Sequence, residues 1–162
     1  MLSRVAANGY RIKINSLKVS EFFMKIEIVE NPTDDLISFF NKKIEEFNVA
    51  RWEIKKKIPL AIQIKNETGE IMGGAAGKTF GLWLLIDNIW VSEDLRGQNI
   101  GSKILENLES AAKARGCKYS LLDTLNFQAK PFYEKYGYKV QWTQNNYPKD
   151  GCKFFMVKDL ND

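Results

Sequence analysis

The chain contains no histidine. That absence removes the side chain best suited to proton transfer near neutral pH and the commonest nitrogen ligand for metals, so acid–base chemistry falls to Asp, Glu, Tyr, Lys or Cys. Cysteine is scarce too. Cys117 and Cys152 are the only two, too few for a disulfide framework or an all-cysteine zinc site, and no metal is expected. With no recognisable secretory signal, they point to a reducing compartment, and a cytoplasmic location is expected. No apolar run approaches the ~20 residues needed to cross a bilayer, so no membrane partner is expected.

What is present is ordinary for a globular protein. The chain has 162 residues, 44% of them hydrophobic and 27% charged, which suits one domain with a full core. The net charge of +4 would draw an anionic ligand, either a phosphorylated cofactor or a nucleic acid, although the basic residues are scattered. Residues 1–23 carry Arg4, Arg11, Lys13 and Lys18 against one acid, Glu21. They are expected to form an N-terminal extension (a tag, a misplaced start or a flexible arm) ahead of a domain spanning 24–162, with a transit peptide as the rival reading.

Period and punctuation give an order of elements. The alternation over Lys25 to Val29 predicts a strand; Asn31 and Pro32 then read as the cap and first residue of a helix carrying Leu36, Ile37, Phe40, Ile44 and Phe47 on one side. The stretch from Asn48 to Pro59, with Trp52 and Lys55 to Lys57, is either a basic lip or a solvated face. Leu60 to Lys65 and Ile71 to Lys78 read as a hairpin closed by Glu67, Thr68 and Gly69. Gly73, Gly74 and Gly77 inside a strand predict a bulge or a close approach by another chain or ligand. A third antiparallel strand ends at Val91.

Arg96, Gly97, Gln98 and Asn99 then turn directly into a helix whose apolar stripe is Ile100, Ile104, Leu105, Leu108, Ala111 and Ala112, with Lys103, Glu106, Glu109 and Lys113 opposite and Gly116 as the stop. Such a turn gathers backbone N–H groups at the positive end of a helix dipole, where phosphate oxygens bind. Lys118 to Thr124 returns as a strand parallel to the one ending at Val91, through a right-handed crossover, and ligands bind where such neighbours part. A short helix over Phe127 to Tyr136 and two strands, Tyr138 to Trp142 and Lys153 to Val157, complete the chain. A mixed α/β fold follows.

Two motifs in that order resemble those of the GNAT superfamily of acetyl-CoA-dependent N-acetyltransferases. The RxxGxG turn stands here as Arg96, Gly97, Gln98, Asn99, Ile100 and Gly101, with Asn99 in place of the middle glycine; asparagine is the non-glycine residue that best tolerates a left-handed backbone. The NxxAxxFYxxxGF segment stands as Asn126, Ala129, Phe132, Tyr133, Gly137 and Tyr138. The resemblance covers Lys25 to Lys158 and implies a central mixed sheet of six to seven strands, splayed between its two parallel members and flanked by about four helices.

It also implies roles. Backbone amides from Arg96 to Ser102 would hold the pyrophosphate of acetyl-CoA; Ile89, Trp90 and Val91 would pair with its pantetheine arm, which Asn126 would bond from the other side with Ala129 and Phe132 nearby. Tyr133 would protonate the departing thiolate, unless it is only a packed aromatic. For the base that takes the amine's proton, Asp87 comes first, Asp123 second and Glu93 third, or water serves alone. Cys117 and Cys152 are rejected as nucleophiles. Trp52, Trp83, Trp90 and Trp142 either line the acceptor pocket or belong to the core. The expected activity is acetyl transfer from acetyl-CoA to a primary amine on a small molecule or peptide. Kept beside it are a non-catalytic acyl-CoA sensor and, less favoured, a basic nucleic-acid-binding domain. The late strands are free to pair across a homodimer.

Overall fold

The computed structural model describes residues 15–19, 22–54 and 56–161; residues 1–14, 20 and 21 of the expected extension, with Lys55 and Asp162, lie outside them. The chain divides into two units, one ending at Trp52 and one beginning at Glu53. In the first, β1 (Asn15–Val19) and β2 (Phe22–Ile26) pair antiparallel from Val19↔Phe22 to Asn15↔Ile26. The strand expected over Lys25 to Val29 is thus displaced upstream, because a strand extends only as far as its partner's ladder. Helix α1 (Asp34–Val49) follows. Its cap is Thr33, whose hydroxyl accepts from the Leu36 amide at 3.3 Å, and not Asn31, which takes a left-handed φ of 56° outside the helix. Asp34 and Asp35 occupy the first turn, where the dipole favours acids.

The second unit is built on β3 (Ile58–Lys65), β4 (Ile71–Phe80), β5 (Trp83–Val91), β6 (Tyr119–Leu125), β7 (Lys139–Asn145) and β8 (Cys152–Asp159). They form one six-stranded sheet in the order β3-β4-β5-β6-β8-β7. Every neighbouring pair is antiparallel except β5 and β6. Helix α2 (Ile100–Ala114) makes the crossover between those two, and α3 (Lys130–Lys135) connects β6 to β7. Among the described residues there are thus three α-helices, with a single 3-10 turn at Glu93–Leu95, against the four expected. The mixed α/β class is as expected, and so is the sheet of six strands.

The core lies between the sheet and α2. Leu84 and Ile86 from β5 meet Ile104, Leu105, Leu108 and Ala112 from α2, with Leu122 and Met156 beside them. Each such aliphatic side chain contributes roughly 1.5–3 kcal/mol by leaving water. Glu109, read from the helical pattern as part of the polar side, is instead only 6% exposed. The stripe is wide enough to take in one charged residue because that residue is paired within it, as described below.

The glycines of β4 serve close approach by neighbouring strands. A Cβ on Gly74 would lie 2.4 Å from the Ile62 carbonyl oxygen, and one on Gly77 would lie 2.3 Å from that of Leu85. Opposite Gly77 the register slips: Ile86 pairs with Gly77 and Asn88 with Ala76, leaving Asp87 as the extra residue of a bulge. The slip also shifts the alternation of β5. Leu84 and Ile86 and then Ile89 and Val91 face the same side, which an unbroken two-residue period would not permit. From this site Gly77→Ala is expected to cost about 3 kcal/mol of stability. In Gly69→Ala the methyl meets nothing within 4 Å and only a φ of 86° opposes it, for about 1 kcal/mol. Urea midpoints of the two variants measure this. A Gly77→Ala midpoint equal to wild type would mean that β4 and β5 do not approach so closely.

Candidate active site

The parallel pairing of β5 with β6 is short. It covers Trp83↔Tyr119, Leu84↔Ser120 and Leu85↔Leu121, and beyond the bulge at Asp87 the strands separate. Two clefts open along the parting. The first, of about 370 Å³, is mostly apolar and runs from Ile89 and Val91 past Arg96 and Gly97 to Asn99, Ile100, Gly101 and Ser102, with Ala129, Phe132 and Tyr133 from the α3 side. The second, of about 390 Å³, is polar and is lined by Asp87, Asn88, Asp123, Thr124, Gln128, Tyr147 and Lys153, among others. Both clefts include Ile89, Ala129 and Tyr133. Tyr133 therefore stands at the junction.

The first cleft ends on the start of α2. Asn99 adopts φ 59° and ψ 17°, a left-handed conformation, and its side chain makes no capping bond. Gly97 is also left-handed, at φ 76°. The first amides of a helix have no acceptor within it, so those of Ile100, Gly101 and Ser102 face the cleft with the positive end of the dipole behind them. A Cβ on Gly101 would come only to 3.6 Å from the Phe132 ring, in ordinary contact. Arg96 bridges Glu93 Oε1 through Nη1 and donates from Nε to the Val91 carbonyl, both at 3.3 Å. This set of donors and one fixed cation fits a phosphate-bearing ligand, and the apolar run beside it fits an extended thiol arm lying against the unpaired edge of β5.

Tyr133 sits on a short helix that the end of β6 positions. The Gln128 side chain accepts from the Leu125 amide at 2.8 Å, and the Ala129 amide donates to Thr124 Oγ1 at 3.4 Å. Pro131 occupies the first turn of α3 and Lys130 pairs with Glu134 across one turn. Phe132 lies edge-on to Tyr133 at 5.2 Å, and the Tyr136 ring lies 4.9 Å from that of Phe132. Burial pushes the Tyr133 phenol above its ordinary pKa of 10.0, because the phenolate would be poorly solvated.

Asp87 and Asp123, the first two of the three carboxylates considered as bases, line the second cleft, and each has a lysine partner. Both oxygens of Asp87 accept from Lys78 Nζ, at 2.8 and 2.9 Å. Asp123 meets Lys153 Nζ at 3.0 Å, and Lys153 also sits 4.7 Å over the Tyr147 ring. That bond to Asp123 raises the pKa of Lys153. Glu93 lines neither cleft. Three other residues of the expected site have side chains engaged within the protein or turned to solvent, which leaves their expected backbone roles open to a ligand. Trp90 is 53% exposed on the opposite face of β5; Gln98 braces its own turn by donating to the Asp94 carbonyl at 2.8 Å; and Asn126 pairs with Cys152, accepting from its amide at 3.3 Å, so it fastens the start of β8. Trp83 stacks on Tyr119 and Trp142 on Phe155, outside both clefts. Cys117 is buried, and that burial raises its pKa, in keeping with an apolar role.

Residues missed in the sequence include Tyr136, whose hydroxyl donates to Ser102 Oγ and so ties α3 to the start of α2. Its spacing of four from Phe132 was the available signal. Nothing local marks Lys78 or Lys153 as partners of the two carboxylates, since both pairings cross strands. Among the described residues, no group of three His, Cys, Asp or Glu side chains gathers as a metal site, and no helix is long and apolar enough to cross a membrane.

The sequence profile of the Acetyltransferase (GNAT) family matches residues 23–138. An acetyltransferase of Agrobacterium fabrum is 38% identical over 92 residues, 57% of this chain and 67% of that one. A blasticidin-S acetyltransferase of Streptomyces morookaense is 35% identical over 95 residues, 58% and 70% of the two chains. The crystal structure of an acetyltransferase from Bacillus cereus superposes with a TM-score of 0.74 and 32% identity, over 82% of this chain and 96% of that one.

The geometry of the turn makes Asn99 sensitive to its backbone. Asn99→Ala is expected to cost about 1 kcal/mol and Asn99→Gly less than half of that, because only the first forces a Cβ residue without a polar side chain into the left-handed region. Thermal unfolding measures the order, and its reversal would give the turn a different conformation.

Proposed function

The chain belongs to the Acetyltransferase (GNAT) family, and from that premise we propose that it transfers an acetyl group from acetyl-CoA directly to a primary amine. The observation that carries the proposal is that the phosphate-ready cleft and the polar cleft meet at one half-buried phenol, that of Tyr133. The amides of Ile100, Gly101 and Ser102, with Arg96, bind the pyrophosphate. The edge of β5 from Ile89 to Val91, left by β6, bonds the pantetheine arm as a further strand would. Acetyl-CoA brings the activated thioester; the residues around it decide where it points and which proton moves.

The amine enters through the polar cleft. Its nitrogen attacks the thioester carbonyl, a C–N bond forms and the C–S bond breaks. The leaving sulfur takes the Tyr133 proton, and the nitrogen loses one. An alkylammonium near pKa ~10.4 must shed a proton before attack, and Asp87 at the bulge is the first acceptor for it, with Asp123 the alternative. Because Lys78 occupies both oxygens of Asp87, transfer through an intervening water suits that geometry best. The predominantly polar lining favours a hydrophilic acceptor over an aromatic or aliphatic one. The left-handed conformation of Asn99 keeps the turn's shape without the motif's middle glycine, which supports the catalytic reading over a non-catalytic sensor. Catalysis in the cytoplasm by a single copy or a homodimer is consistent with this reading.

Thiol release from acetyl-CoA, measured against amino sugars, aminonucleosides, polyamines and peptides, tests the proposal. Tyr133→Phe is expected to lower kcat at least tenfold, about 1.4 kcal/mol of transition-state stabilisation, while Arg96→Ala raises KM for acetyl-CoA severalfold with a smaller change in kcat. The same assay run against pH should show no decline below pH ~10 from loss of the acid, since burial disfavours the phenolate and moves its pKa upward. Wild-type turnover by Tyr133→Phe would remove that residue from the reaction. Absence of release with every amine, while acetyl-CoA binds in calorimetry, would return the sensor.

A further inference from the structure

A phenol that must meet a thioester sulfur within a few tenths of an ångström is carried by a helix of six residues, none of which is buried. Such a helix cannot fix its own orientation, and geometric looseness of that kind is costly in rate. What holds Tyr133 must lie outside α3.

The structure points to Tyr138. Its backbone amide donates to the Tyr133 carbonyl at 3.1 Å, and its ring meets the Tyr133 ring edge-on, with centroids 5.8 Å apart and planes at 67°. Tyr138 is itself immobilised in the core, 1% exposed. Its phenolic oxygen lies 2.9 Å from Glu109 Oε1 of α2 and 2.7 Å from Ser120 Oγ of β6, so it can donate to the carboxylate and accept from the serine. Lys158 of β8 closes the network, donating to Glu109 Oε2 at 2.6 Å, with its Nζ 5.8 Å from the Tyr138 ring and its stem against Gly137. Three elements thus converge on one phenol. An ion pair with one buried and one half-buried member contributes little net stability over an apolar substitute, so its presence calls for another role.

We propose that Glu109, Lys158 and Tyr138 are positioning residues for the reaction. The Glu109–Lys158 pair holds the Tyr138 hydroxyl, and Tyr138 fixes Tyr133 both at its backbone carbonyl and at its ring, so that the phenol points into the junction of the clefts. The inference rests on the reading of Tyr133 as the acid. It assigns Glu109 no contact with substrate. Gly137, left-handed at φ 87°, lets the chain reverse between the two tyrosines so that both ends of the clamp can be made.

The test separates a clamp from general stabilisation. In a Lys158→Met background, which leaves no unpaired ammonium, Glu109→Gln still offers an oxygen to the Tyr138 hydroxyl and Glu109→Leu does not. The expected result is that Glu109→Gln retains kcat within about threefold of that background and Glu109→Leu loses about tenfold. KM for acetyl-CoA should change less than twofold in both. Tyr138→Phe, which alters no buried charge, should likewise lower kcat about tenfold at unchanged KM, and it decides the question if the Leu variant does not fold. Equal kcat in Glu109→Gln and Glu109→Leu, or wild-type kcat in Tyr138→Phe, with effects confined to the thermal midpoint, would overturn the inference. Wild-type kcat in Tyr133→Phe would identify the failure as that of the acid itself, and the clamp would fall with it.

Discussion

The separation of β5 from β6 after three paired residues is the constraint on which the rest depends. A sheet that stayed zipped would satisfy its backbone groups internally and offer nothing at its centre. Here the bulge at Asp87, admitted by the missing side chain of Gly77, bends β5 away while β4 continues to pair with it. The inner edge of β5 is then left with N–H and C=O groups that need partners, beside a helix start with the same need. Both demands would be met by one ligand that is extended, amide-bearing and anionic at one end.

The bulge has a second effect, on which side chains meet the ligand. By adding one residue it lets Leu84 and Ile86 anchor β5 in the core while Ile89 and Val91, on the same face, floor the cleft. Without it Trp90 would turn inward and fill the space. Stability and binding are thus served by successive parts of one strand, and the junction between them is Asp87, left out of the ladder with β4 but ion-paired with Lys78. The same economy holds for α2: its middle is core, its first turn is binding surface, and Glu109 near its end connects to the tyrosine pair on the other side of the clefts.

Much of this was legible in the sequence because it is local. The stripe of α2, the turn residues Gly97 and Asn99, the hairpin glycines and the crossover to β6 are each set by neighbours within a few positions, and the structure has them as the pattern requires. The rest depends on contacts between distant residues. Asp87 as the extra residue of a bulge cannot be read from alternation, since the slip is visible only against β4. Glu109 falls on the polar side of a helical wheel, and only Tyr138 and Lys158, 29 and 49 positions away, explain its burial. Asn126 matches a motif position, but its bond from the Cys152 amide joins residues 26 positions apart and has no local signal. The start of α1 was misread by two residues for a simpler reason: Thr33 and Asn31 are both good caps, and the bond from the Leu36 amide decides between them.

The lysines opposite the two carboxylates bear on how the amine loses its proton. A bare pair of aspartates in the polar cleft would attract the acceptor strongly as a cation, and would hold it as one, since opposite charge stabilises the protonated form. Lys78 and Lys153 offset that field. Against a neutralised wall the ammonium gains less from staying charged, and a free amine at the thioester becomes less costly to form. A base that bound the proton tightly would oppose the reaction it serves. If the proposed transfer holds, the ion pairs are as much a part of its chemistry as the carboxylates.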